Sequence, residues 1–175
     1  QKKIDLSIVS YADKKTYDLL SSGETTGIFQ LESSGMRRYI KDLKPTSIFD
    51  LQAMVALYRP GPMANIPEFI RRKHNPSLIK YPDPRLADIL KESYGVITFQ
   101  DDVLLTAINV AGYSWLEADK LRKAIGKKIT SEMKKQHDKF VEGCVANGMK
   151  RNKAEEFWIL FEPFAGYGFN KAHAA

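Results

Sequence analysis

The sequence is poor in groups that bind metal or cross-link a chain. Among 175 residues there is one cysteine, Cys144. One thiol excludes an internal disulfide and any multi-cysteine metal cluster, and it fits a reducing compartment. The three histidines, His74, His137 and His173, lie far apart and make no metal-ligand spacing. A zinc site is therefore not expected. No apolar run approaches the ~20 residues that span a bilayer. No signal-peptide pattern opens the chain. A Gly-x-Ser-x-Gly nucleophile motif, internal repeats and low-complexity segments are all lacking. Gln1 is not an initiator methionine and Ala174-Ala175 falls within a helical pattern, so the sequence reads as a piece of something longer.

What is present is the balance of a globular protein, 43% apolar and 27% charged. The net charge of +6 is localised: Glu117 to Lys153 holds eleven Lys/Arg against five Asp/Glu, and the rest of the chain is neutral in sum. A local excess of cations fits a polyanion partner, and it equally fits a solvated helix face.

The periodicity is mostly helical, and the fold class expected is mainly α, with short irregular or strand segments. Met36, Tyr39, Ile40 and Leu43 form an i, i+3, i+4, i+7 stripe. Ile48, Leu51, Val55 and Tyr58 repeat it behind the possible caps Thr46 and Ser47. Val103, Leu104, Ala107, Ile108 and Ala111 form a third. Ser114 with Glu117 is a capping-box start, and Met133, Phe140, Val141, Cys144 and Val145 line the helix beyond. Asn152 with Glu155 is expected to open a helix that carries Phe157, Trp158, Phe161 and Phe164 inward. Arg59-Pro60-Gly61-Pro62 breaks the pattern, because proline fixes φ and removes a donor. Gly126 and Gly148 read as helix ends. Thr26 to Leu31 and Val96 to Phe99 are the strand candidates. A seam between two sub-regions is expected near residues 60–84.

Four segments carry candidate chemistry. Arg122, Lys123, Lys127 and Lys128 cluster around Gly126, while Leu121, Ala124 and Ile125 can face a core. Such cations can grip phosphates, Arg by a bidentate fork and Lys as a point charge. Leu121 stands where a Walker loop needs its first glycine, so this is not that motif. The alternative is an exposed basic helix end. In Phe164 to His173, Gly166 and Gly168 allow close backbone approach. Tyr167 and Phe169 could stack on a base or sugar, with Asn170, Lys171 and His173 as polar contacts. The alternative is a connector with its aromatics in the core. Asp101 and Asp102 fall in a helix's first turn and diverge by ~100°, which argues against a shared metal ion. Arg59 is the fourth candidate: its rigid turn could present it to a phosphate, or the turn could equally be only a helix terminator.

Five segments in order resemble the bacterial C-family DNA polymerases, most of all the replicative alpha-subunit branch. They are Thr25 to Met36, Val55 to Pro62, Tyr94-Gly95-Val96-Ile97, Leu121 to Lys128 and Gly166 to His173. The likeness covers essentially residues 1–175. It implies the fingers region, a multi-helix domain that closes over the incoming deoxynucleoside triphosphate and helps hold template–primer DNA. The family's catalytic aspartates and their Mg2+ lie in the palm, upstream of the part matched. No catalytic or metal residue, and no cofactor, is then expected on this chain, which alone would be inactive as a nucleotidyltransferase. Arg59, Arg122, Lys123, Lys127 and Lys128 are implied as phosphate contacts. Tyr167, Asn170, Lys171 and His173 are implied against the nucleotide or primer end.

Implied partners are the remaining polymerase domains and, through the whole protein, the sliding clamp and other replisome subunits, with no membrane. The implied place is the cytoplasm, at the nucleoid. Two departures stand out. Phe99-Gln100-Asp101-Asp102-Val103-Leu104 replaces the family's Tyr-Gln-Glu-Gln-Val-Met, and Lys123 stands where an arginine is frequent. From the residues alone, a stand-alone helical nucleic-acid-binding module or a protein-interaction domain with a basic face remain open. Nucleotide dependence separates them from the polymerase reading.

Overall fold

The computed structural model describes residues 10–127, 130–164 and 168–174. Its regular elements, among those residues, are ten α-helices joined by short 3-10 turns. The chain divides into two compact units, Gln1–Leu51 and Gln52–Ala175. The proline-rich stretch 60–84 lies inside the second.

The first unit opens with α1, Lys14–Ser22. Asp13 caps it by accepting the Thr16 N–H at 2.9 Å. Gly23, at φ 75°, closes it in the left-handed conformation. α2, Ser34–Leu43, has Ser33 as its N-cap and buries Met36, Ile40 and Leu43. Residues 26–31, expected as a strand, instead form two successive turns: Ile28 N–H donates to Thr25 O and Leu31 N–H to Ile28 O. Gly27 and Gln30 both take positive φ, which no strand allows.

α3, Ile48–Leu57, crosses the division. Asp50 accepts the Thr46 and Ser47 N–H groups, while the Ser47 hydroxyl accepts the Asp50 N–H, so of the two expected caps Ser47 acts and Thr46 is a donor to Asp50 instead. The buried apolar positions are Ala53, Met54, Ala56 and Leu57. The expected stripe of Ile48, Leu51, Val55 and Tyr58 is only half-buried. This helix is apolar nearly all round, so periodicity could not single out its inner face.

The second unit holds α4 (Ile66–His74), α5 (Ala87–Leu90), α6 (Gln100–Ala111), α7 (Trp115–Lys127), α8 (Thr130–Ala146), α9 (Arg151–Ile159) and α10 (Lys171–Ala174). α6 packs on α7 and α8, and α8 packs on α9. Val103 and Ala107 of α6, Leu121 and Ile125 of α7, and Phe140 and Cys144 of α8 share one core. Phe140 is fully buried, with Phe157, Trp158 and Phe161 at ring distances of 5.9, 5.6 and 5.0 Å. α6 and α8 meet closely at Gly143, where a Cβ would sit 2.2 Å from Ala111 O.

Three local expectations are corrected here. Val96 to Phe99 forms no strand. It is a buried run whose Thr98 and Phe99 N–H groups go to the Asp102 carboxylate. Gly126 does not end its helix, because α7 runs on to Lys127 with Ala124 and Ile125 buried just before it. α9 starts at Arg151 rather than at Asn152, with Lys150 as an N-cap that offers no side-chain bond. Gly148 does close α8: at φ 88° it lets Met149 N–H reach Cys144 O.

Phe140→Ala is expected to remove about 3–5 kcal/mol of stability, as for other fully buried aromatics. Urea unfolding checks this, and a loss below about 1 kcal/mol would contradict the packing described.

Candidate polyanion site at the start of α6

The site is built on the first turn of α6. Phe99, extended at φ −112° and ψ 160°, is its N-cap and has no side-chain acceptor. The free N–H groups of a helix start need acceptors. Asp102 meets part of that need from within, its Oδ2 accepting the N–H groups of Thr98 at 2.8 Å and Phe99 at 2.9 Å. Burial pushes the Asp102 carboxyl up to about 6, against the downward pull of those two N–H groups.

The two residues before Asp102 reach outward to a distant segment. Gln100 N–H donates to Phe169 O at 2.9 Å. Its side-chain Nε2 donates to Gly168 O at 2.8 Å. Asp101 Oδ2 accepts the Lys171 backbone N–H at 2.8 Å and lies 3.4 Å from Asn170 Nδ2. Residues 168–171 are thus clasped to the head of α6. Gly168 permits this approach, since a Cβ there would come within 2.6 Å of Gln100 Cγ.

The cations gather around that clasp. The Arg59 guanidinium lies 4.1 Å from the centre of the Phe169 ring, in cation–π range. Its Nε is buried with no hydrogen-bond partner among the described residues. The Phe169 ring also meets His173 at 5.4 Å. Lys171 Nζ donates to Glu92 at 2.7 Å and sits 5.8 Å above the Phe99 ring. Arg122 of α7 lines a small cavity with Gln100, Val103, Ile125 and Phe164. Its Nε and Nη2 both donate to Asp119 Oδ1, at 3.0 and 2.7 Å.

Of the residues expected from sequence, Arg59, Asn170, Lys171 and His173 come together here, and Arg122 adjoins them beside Gln100. Lys123 does not join: it is exposed and paired with Asp119 at 2.7 Å. Lys127 lies exposed at the end of α7, without an ion pair among the described residues. Lys128 and Tyr167 lie outside the described residues. Gln100, Asp101 and Glu92 were not foreseen as part of the site. Their pairing with residues 168–171 leaves no local spacing signal.

The basic stretch is partly paired, and its net charge of +6 remains. Lys139 pairs with Glu117, Arg151 with Glu142, and Lys153 with Glu156. Exposed pairs of this kind are weak, so each cation is exchangeable. Lys120, Lys127, Lys134 and Lys150 are exposed and make no ion pair among the described residues. Asp101 and Asp102 do not fit Mg2+. The Asp102 carboxylate is buried and given to backbone donors, and Asp101 is committed to residues 170–171. No group of three His, Cys, Asp or Glu among the described residues could hold a metal ion.

Fold and cluster together define a helical domain whose cations surround a segment, residues 168–171, tied by hydrogen bonds to the head of α6. Comparison with known proteins then gives the particular family. Residues 1–148 match the family model described as the bacterial DNA polymerase III alpha subunit finger domain, and the chain belongs to that family. It is 50% identical over 172 residues to the DNA polymerase III subunit alpha of Bacillus subtilis (strain 168), covering 98% of this chain and 15% of the relative. The subunit of Xylella fastidiosa (strain 9a5c) is 50% identical over 98% of this chain and 14% of its own length. That of Rickettsia prowazekii (strain Madrid E) is 48% identical over 99% of this chain and 15% of its own. The chain therefore spans about one seventh of the relatives' length.

Asp102 makes stability depend on pH. Its folded value lies above the ordinary 3.8, so the folded state holds a proton that the unfolded state releases between 3.8 and about 6. Its contribution is fully present below 3.8 and is lost as pH rises to about 6. Across that window the loss is about 3 kcal/mol at 1.4 kcal/mol per unit. Asp102→Asn is expected to show a correspondingly flatter stability profile between pH 4 and 6. An identical slope in urea titrations of the two proteins would contradict this.

Proposed function

We propose that the chain is the element through which a DNA polymerase III alpha subunit engages the incoming deoxynucleoside triphosphate and the template–primer. The carrying observation is the convergence of Arg59, Arg122 and the Gly168–His173 segment on the head of α6. Family membership supplies the reaction class: the primer 3′-hydroxyl attacks the α-phosphate and pyrophosphate leaves. Such chemistry uses metal ions that carboxylates hold, and cations that offset the triphosphate charge. In this reading the Mg2+ carboxylates belong to a palm outside this chain, and the chain's own share is binding and orientation. By itself the chain is inactive.

Each residue has a defined part in this proposal. Arg59, seated on Phe169, brings its guanidinium charge to the anion, while its buried Nε has no partner among the described residues. Arg122 exchanges Asp119 for a phosphate oxygen, with a fork that suits bidentate contact. Asn170, Lys171 and His173 face the nucleotide or primer end, with Tyr167 beside them in the chain. Lys120, Lys127 and Lys134 follow the DNA backbone, with Lys123 and Lys128 adding charge nearby. Movement of this element gates the reaction by completing the site around a matched base pair. Its partners are DNA, deoxynucleoside triphosphates, the other polymerase domains and, through the whole subunit, the sliding clamp and replisome. The proposed place is the cytoplasm, at the nucleoid. No helix among the described residues is long and apolar enough to cross a membrane.

DNA binding across a salt series tests the proposal, with a primer–template and a plain duplex, each with and without the matching triphosphate. Salt-dependent binding at about micromolar Kd is expected, strengthened by the matching nucleotide on the primer–template alone. Lys127→Ala should lower the salt slope by about 1. Binding blind to the nucleotide would favour a simple nucleic-acid-binding module, and an unchanged slope would remove Lys127 from the DNA surface.

A further inference from the structure

Lys171 is held in two separable ways. Its backbone N–H is fixed by Asp101, within a clasp that also includes both Gln100 bonds to residues 168–169. Among the described residues its ammonium has one ion-pair partner, Glu92 at 2.7 Å, with the two side chains 40% and 33% exposed. The clasp already seats the segment, so the ion pair is not needed to place it. A partly exposed pair adds little stability, and both partners remain within reach of a solute. On the same segment, the Arg59 guanidinium lies against Phe169, and its Nε is buried with no partner among the described residues. A single carboxylate thus occupies the ammonium of a clasped segment whose Phe169 also carries the Arg59 guanidinium.

Resting on the nucleotide-binding reading above, we propose that Glu92 is a stand-in anion, holding the Lys171 ammonium in the place a polyphosphate takes when it binds. No bond is made or broken covalently: Lys171 Nζ keeps its proton and exchanges one oxyanion for another. The carboxylate then returns to water, where its 33% exposure lets it be solvated. Glu92 therefore sets the affinity of the site by competition. It discriminates against monovalent anions too weak to displace it, in favour of ligands that engage Lys171 and Arg59 together.

The test is titration of the chain with inorganic tripolyphosphate, alongside a short DNA duplex as the other phosphate source. Glu92→Gln keeps the shape and removes the charge, and is expected to tighten tripolyphosphate binding about two- to fivefold, the range of an exposed pair. Glu92→Gln with Lys171→Ala should abolish that gain, as a coupled cycle requires. Asp88→Asn, which removes an exposed carboxylate from α5, should leave binding unchanged.

Equal or weaker binding by Glu92→Gln would overturn the inference, as would a gain that survives without Lys171 or appears equally in Asp88→Asn. A gain seen with duplex but not with tripolyphosphate would also overturn it. If the wild-type chain binds tripolyphosphate and Glu92→Gln shows no gain, only the role of Glu92 falls. If no variant binds, the nucleotide-binding reading falls with it.

Discussion

The head of α6 is the constraint on which the site depends. A helix start exposes N–H groups that must find acceptors, and here no cap side chain is available at Phe99. Asp102 supplies the acceptor and becomes buried, at the cost of a raised carboxyl. Gln100 and Asp101 are then free to hold residues 168–171. That clasp brings Phe169 under Arg59 and Lys171 against Glu92. Sequence, local helix chemistry and long-range geometry meet in three consecutive residues.

This arrangement also separates rigidity from binding. The backbone of the loop is fixed by neutral and charge-assisted hydrogen bonds, while its cations are held by weaker, partly exposed partners. Arg122 on Asp119 repeats the pattern on α7. A surface of this kind can receive an anion without first ordering its own loop, which lowers the entropic cost of binding. The aromatic cluster around Phe140 gives α8 and α9 a firm base beneath the basic stretch.

Much of the fold was legible from residue spacing. The stripe of Met36, Ile40 and Leu43 carries a clean helical period, and Ser114 with Glu117 and Ser47 cap their helices, whereas Phe161 and Phe164 are buried but lie beyond the end of α9 at Ile159. The failures share physical causes. α3 is apolar nearly all round, Asp50 and Gln52 apart, and hides its inner face. Residues 26–31 are β-like in composition, yet Gly27 and Gln30 adopt positive φ. Val96 to Phe99 looks like a strand because it is apolar and buried, but its N–H groups serve a helix cap. In the site, the cations and the glycine loop were visible as types. The clasp was not, because Gln100 and Gly168 are brought together by the packing of the intervening helices. The charge of the basic stretch was countable, but which of its cations Glu117, Asp119 and Glu142 pair depends on which faces the helices turn to one another.

The central claim is that the clasped loop and its cations receive a nucleoside triphosphate. Amide hydrogen exchange of the chain, with and without the triphosphate matching a bound primer–template, tests it most directly. The account predicts added protection at Gln100 and at residues 168–173, with α1 and α2 unaffected. Unchanged exchange in residues 168–173 under conditions where the nucleotide is bound would contradict it.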